Sequence, residues 1–288
     1  MTTVDLKAAI QQLEALPAMP VIAQKILALQ LDTAQGEAEL LRLIGQDPQI
    51  AARIIGLANS PLFGASRRVA SISDAAILLG LTRVKSVAVG IAVISAIGKR
   101  PTGNFKIESV WQHSLAMAAA MRVLSRAMPA RLRPLEDEIF LAGLLHDIGY
   151  LALSHLDPLR SDLLQARMAA EPDKTIDQIE TEVIDIGHGE LGEALARHWD
   201  LPERISKAIR YHHTPNDPHA AEGQPLVALA HLGEKMLSAF CLPERVDTVI
   251  ADAEWEALGI DPGKAEALRE AVAEQAEQAK QAASAFAS

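Results

Sequence analysis

The segment Ile139 to Leu153, IFLAGLLHDIGYLAL, limits most what this chain can fold into. It is apolar on every face, so a helix formed there must be covered on all sides. Yet His146 and Asp147 stand in its middle. An ionised carboxylate removed from water without a partner is strongly destabilising even after the protein relaxes around it. Asp147 therefore needs a cation or several hydrogen-bond donors. The fold has to bring them.

The rest of the chain is expected to supply helices. Apolar residues make up 49% of the 288 and aromatics only 3%, so the core must be aliphatic. Ala, Leu and Ile recur at helical spacing and few segments alternate as half-buried strands do, which predicts an all-α, compact multi-helix fold. Proline and glycine divide it. Asp47-Pro48, Asp157-Pro158 and Leu201-Pro202 mark helix starts, because proline suits the first helical turn and aspartate caps it. Helices are expected at 21–31, 37–44, 48–58, 73–79 and 82–97, then at 106–127, 136–154, 158–170, 175–186, 188–199, 202–212 and 225–240. The break at Lys99–Asn104 divides an N-terminal helical subdomain (1–103) from a helical subdomain carrying the histidines (104–242). Residues 243–288 form a C-terminal helical extension. Its Ala/Glu/Gln-rich end reads equally as a surface helix, a partner-binding helix or a frayed tail.

Charge and cysteine content exclude several classes. A formal net charge of −10 opposes binding to nucleic-acid phosphates and anionic membranes. Arg67, Arg68, Arg83 and Lys85 are the nearest approach to a basic patch and read as a solvated surface. The single cysteine, Cys241, allows no intrachain disulfide and no cysteine-based zinc motif. The first residues lack the pattern of a signal peptide, and Ser86 to Gly98 is too short to span a bilayer. A cytoplasmic location and no membrane partner are expected.

Taken alone, one buried His-Asp pair reads first as a hydrogen-bonded pair. Other histidines alter the balance. His113 lies near the start of an Ala/Met-rich helix, His188 opens one, His212 and His213 end another, and His231 falls in an apolar run. With His146 and Asp147 these seven residues are the candidate metal ligands, since neutral imidazole and carboxylate are standard donors to divalent ions. The alternative is a purely hydrogen-bonded core. His155, His198 and His219 receive no role.

In this order the residues resemble the HD superfamily of metal-dependent phosphohydrolases, and the added His188 and His212-His213 resemble its HD-GYP branch. Leu16-Pro17-Ala18-Met19-Pro20, Gln46-Asp47-Pro48-Gln49-Ile50-Ala51-Ala52-Arg53, Leu57-Ala58-Asn59-Ser60-Pro61-Leu62-Phe63-Gly64 and Ala75-Ala76-Ile77-Leu78-Leu79-Gly80-Leu81 are similar to the HDOD family over residues 12 to 240. The resemblance implies an all-helical bacterial signal-transduction module. Its partners would be signalling proteins such as receiver or cyclic-nucleotide-signalling domains. It implies a divalent metal (Fe, Mn, Zn or Mg, one or two ions), with Asp147 able to bridge. The family's distal aspartate falls on or beside His231, which cannot supply negative charge. Tyr150 stands where active relatives often carry lysine, and no Gly-Tyr-Pro follows His213.

Two functions follow. The first is a regulatory module, non-catalytic, that keeps a metal centre and acts through protein contacts. The second is a metal-dependent phosphohydrolase acting on a nucleotide or cyclic dinucleotide. No catalytic residue is assigned. The first half offers apolar helices without a cluster of polar groups suited to a small ligand, so docking is its expected role.

Overall fold

Several helices begin where the sequence supplies a side-chain cap. Asp47 Oδ1 accepts from the Gln49 and Ile50 amides at 3.0 and 3.1 Å, with Pro48 in the first turn. Asp157 does the same for Arg160 N at 3.0 Å, and Ser71 for Asp74 N at 3.0 Å. The structure, a computed structural model, describes residues 5–11, 16–65, 67–97 and 106–284. Among these residues there are helices and no strand. They are α1 (Leu6–Gln11), α2 (Val21–Leu27), α3 (Ala34–Gly45), α4 (Pro48–Ala58), α5 (Ile72–Leu79), α6 (Leu81–Ile97), α7 (Ile107–Ala127) and α8 (Glu136–Leu145). Then follow α9 (Ile148–Leu156), α10 (Pro158–Ala170), α11 (Ile176–Val183), α12 (His188–His198), α13 (Glu203–Tyr211), α14 (Leu226–Met236), α15 (Asp252–Ala257) and α16 (Ala265–Ser284).

Two departures from expectation matter. The helix expected at 136–154 is two, with His146 and Asp147 at the junction of α8 and α9. Asp147 leaves helical geometry there (φ −98°, ψ 16°), which aims its carboxylate inward rather than along the helix surface. The helix expected at 225–240 stops at Met236, and a loop takes over that reaches the site described below.

Helix α7 is the axis of the fold, with α8, α14 and α16 packed along it. Every residue from Ile139 to Tyr150 is buried. Glu136–Leu156 is long and apolar enough to cross a membrane, but 89% of its most apolar window is covered by the protein itself. The apolar core runs without interruption from Leu6 to Ala283. The expected subdomain boundary at 99–104 lies outside the described residues. The C-terminal helix docks on its own chain: Val272, Ala276, Ala279, Ala282 and Ala283 are buried, and small side chains allow this close approach to α7. Cys241 is half-buried in the loop after α14. The four basic residues do not form a patch. Arg83 pairs with Glu136, while Lys85 Nζ donates to the Leu29 carbonyl at 2.7 Å.

Two glycines set how closely the central helices approach. A Cβ at Gly143 would lie 2.5 Å from Ala118 Cα, so α8 and α7 touch backbone to backbone. A Cβ at Gly149 would lie 1.9 Å from the His188 carbonyl oxygen, so only glycine lets α9 bring Asp147 beside the start of α12. Gly149→Ala is expected to force these helices apart, costing about 2–3 kcal/mol in urea unfolding. A smaller loss than ~0.5 kcal/mol would show that the contact yields.

Candidate metal centre

Six segments of the chain bring their polar side chains to a single buried point. His113 comes from the second turn of α7, His146 and Asp147 from the α8–α9 junction, and His188 from the first position of α12. His212 and His213 follow α13, Glu234 lies on α14, and Glu244 on the loop beyond it. Except for His213 these groups are at most 2% exposed.

The second nitrogen of each ring fixes its orientation. Nδ1 of His113, His146 and His212 lies 2.8, 2.9 and 2.8 Å from the carbonyl oxygens of Phe240, Gly143 and Ile209. A carbonyl only accepts, so each Nδ1–H donates and each neutral Nε2 presents a lone pair. His188 Nδ1 is held in the same way by Glu180 Oε1 at 2.7 Å. Such outer partners are what orient metal-binding imidazoles.

These Nε2 atoms converge on Asp147. Its Oδ2 lies 3.3 Å from His146 Nε2 and 3.6 Å from His113 Nε2. Its Oδ1 lies 3.5 Å from His188 Nε2 and 3.6 Å from His212 Nε2. Glu234 Oε1 closes the first side at 2.8 Å from His146 and 3.1 Å from His113. On the second side Glu244 Oε1 is 2.8 Å from His213 Nε2. The result is two four-ligand groups, His113/His146/Asp147/Glu234 and His188/His212/His213/Glu244, each with its donor atoms within 4.8 Å of one another. One aspartate stands between them, one oxygen to each.

The arrangement is short of protons. Both Asp147 oxygens, His146 Nε2, His213 Nε2 and Glu244 Oε1 are buried with no aligned hydrogen-bond partner. His188 Nε2 and His212 Nε2 stand 3.0 Å apart, lone pair to lone pair when both are neutral. Core packing alone does not account for so many inward-facing acceptors. Divalent ions would satisfy them, and the residues present fit one in each group.

Electrostatics carry the same message. Burial pushes the Asp147 and Glu234 carboxyls up, but the neighbouring histidines hold both well below the usual carboxylate range. Burial pushes His146 down, yet Asp147 and Glu234 raise it well above an ordinary imidazole. His188 is likewise lifted to about 10, because Glu180 and Glu244 outweigh its burial. His212 moves well below, from burial and the adjacent His213 and His188. The site draws in positive charge, as protons or as metal.

Six of the seven candidate ligands meet here. His231 does not: its Nδ1 donates to the His212 carbonyl at 2.8 Å and its Nε2 faces Glu254 Oε1 at 3.2 Å. It braces the backbone of a ligand. The inward position belongs to Glu234, one turn later on α14, so the distal carboxylate expected to be missing is present. Glu234 could have been noticed as a charge inside the apolar run Leu226–Met236; Glu244, in an irregular loop, carried no such signal. Glu180 was missed too, though it is buried on an amphipathic helix. His155, His198 and His219 belong to neither group.

Tyr150 stacks on His188 with ring centroids 4.5 Å apart, and its hydroxyl donates to Glu244 Oε2 at 2.7 Å. The Glu244 loop is held by the Ala239 amide donating to the Glu244 carbonyl at 2.6 Å, with Ala239 and Cys241 at positive φ (59° and 67°). Outside this closure lies a depression of about 230 Å3 bordered by His213, His231, Glu234, Lys235 and Arg245.

Fold and site together define an all-helical module built around paired histidine–carboxylate groups. The HDOD domain family matches residues 16–215, and the chain belongs to that family. The match includes all six histidine and aspartate ligands but ends before Glu234 and Glu244. A candidate signal transduction protein from Marinobacter aquaeolei VT8 superposes with a TM-score of 0.77 at 24% identity, covering 100% of this chain and 62% of that one. An HDOD domain protein of unknown function from Geobacter sulfurreducens gives 0.68 at 25% identity, covering 94% and 99%. A candidate phosphohydrolase from Shewanella amazonensis SB2B gives 0.69 at 24%, covering 96% and 97%. A relative in Treponema pallidum is 28% identical over 221 residues, 73% of this chain and 40% of its own length. The chain thus spans well under half of that relative.

Metal binding must displace protons from His146 and His188, so affinity is expected to rise with pH. The sign for the metal-free protein is opposite. A histidine raised to about 10 stabilises fully below its unfolded pKa of 6.5 and loses that contribution as pH rises through 10. The Tm increment from added Mn or Zn should therefore grow between pH 6 and 9 while the metal-free Tm declines. An increment independent of pH would exclude these histidines as ligands. Asp147→Asn should reduce bound metal below half of the wild-type stoichiometry in elemental analysis, because both groups share its carboxylate.

Proposed function

We propose that this HDOD chain is a signal-transduction module whose buried metal centre organises a protein-contact surface and does not turn over substrate. The closure of the centre by Glu244 and Tyr150 carries this reading. Catalytic metal sites keep a position open for water or substrate, whereas structural sites fill it with protein ligands. Here Glu244 fills the second group and Tyr150 pins it. The depression outside is too small for a cyclic dinucleotide, since pockets for organic ligands run to roughly 300–1,000 Å3.

The donor set is rich in imidazole nitrogen, which favours Fe, Mn or Zn over Mg. His113, His146, Asp147 and Glu234 would hold one ion, and His188, His212, His213 and Glu244 the other. A signalling partner, for example a receiver or cyclic-nucleotide-signalling protein, fits the family's setting. A cytoplasmic location fits the same role.

A second reading, a phosphohydrolase, is favoured by one observation: Asp147 stands between the two groups as a bridging carboxylate does. Paired ions in such sites activate water and neutralise charge on phosphoryl oxygens. In that reading Glu244 is the residue that must move.

Metal-loaded protein is expected to show stoichiometric metal by elemental analysis and no turnover of cyclic di-GMP or bis(p-nitrophenyl) phosphate. Turnover that Asp147→Ala abolishes would establish the enzyme instead. Glu244→Ala, which removes the closing ligand, should weaken retention of one ion by on the order of tenfold or more.

A further inference from the structure

A cleft of about 540 Å3 lies where α2 and α6 meet the ends of α8, α12 and α13 away from the histidines. Asp137 and Glu138 begin α8, which ends at His146. Trp199 and Asp200 follow α12, which begins at His188. Pro202 and Ile205 begin α13, which leads to His212 and His213. The first half of the chain contributes Met19, Leu27, Lys85 and Val89 to this cleft.

The wall is apolar, with Met19, Leu27, Val89, Leu141 and Ile205 facing the space. One cation enters it. The Lys85 ammonium is half-buried, donates to the Leu29 carbonyl at 2.7 Å and forms no ion pair among the described residues. Three carboxylates line the cleft with it, and Asp137 acts on its charge from beyond ion-pair distance. Arg204 Nη1 donates to both Glu138 oxygens at 2.7 Å. Asp137 Oδ1 accepts from the Glu138 amide at 3.0 Å, and Asp200 is exposed at the rim. A half-buried ammonium against an aliphatic wall is the pattern of a site for an amphipathic anion.

We propose that this cleft binds a small organic acid, its apolar body on the Leu27–Val89–Leu141 wall and its anionic head on Lys85. As the input of the signalling module the cleft rests on the reading above; as a binding site it stands by itself.

The probe is anilinonaphthalene sulfonate, titrated by fluorescence into the full chain and displaced with decanoate or decylamine. Saturable binding is expected, displaced by decanoate and not by decylamine. Lys85→Met should weaken it by on the order of tenfold, the worth of one charge-assisted hydrogen bond, while Lys85→Arg stays within about threefold. Ala28→Trp, at the exposed rim, should block the cleft with the fold intact, as circular dichroism checks. Dye binding that survives both Lys85→Met and Ala28→Trp, or equal displacement by decylamine, would overturn the inference. Phosphodiester turnover would remove the signalling reading and leave the cleft standing; loss of Lys85-dependent binding would do the reverse.

Discussion

Asp147 cannot be buried unless other groups compensate it, and much of the second half of the protein is arranged around that requirement. The carboxylate is completely buried, and four imidazole nitrogens lie between 3.3 and 3.6 Å from its two oxygens. Three of those rings are oriented by main-chain carbonyls and the fourth by Glu180. Each anchoring bond spends the ring's other nitrogen as a donor, so the centre faces inward with acceptors only. That polarity suits the centre to a cation. Removing one member leaves the others buried with unbalanced charge.

The surrounding packing keeps this group together at close range. Gly149 lets α9 approach the first residue of α12, and Gly143 lets α8 lie against α7. The loop after α14 then completes both sides. Phe240 O anchors His113 while Glu244 reaches His213. Two non-glycine residues at positive φ mark what this placement costs the backbone. The same loop thus orients one ligand and supplies another, which is why closure of the centre and its second coordination group are one structural feature.

Closure separates this chain from what its ligand set alone implies. Histidines and a bridging aspartate are shared by hydrolytic and regulatory proteins, and fold does not choose between them. What chooses is access. Glu244 closes one side of the centre and is tied by a tyrosine stacked on His188. The cleft at the opposite ends of α8, α12 and α13 offers such a centre something to respond to.

The helices, several of their caps and six residues of the buried histidine–carboxylate cluster were legible in the sequence. Each depends on local chemistry: helical spacing of apolar residues, proline and aspartate at helix starts, imidazole in apolar surroundings. The metal groups themselves were not complete. His231 and Glu234 lie three residues apart in one apolar run, and sequence favoured the histidine. Packing turned the glutamate inward and left the histidine to Glu254 and the His212 carbonyl. Glu244 and Lys85 were invisible as site residues, because a loop carries no periodicity and a lysine's partners are set by distant helices. Sequence by itself determined that a buried carboxylate had to be compensated. Tertiary structure decided which groups do so, because the direction of a side chain depends on neighbours that no local pattern specifies.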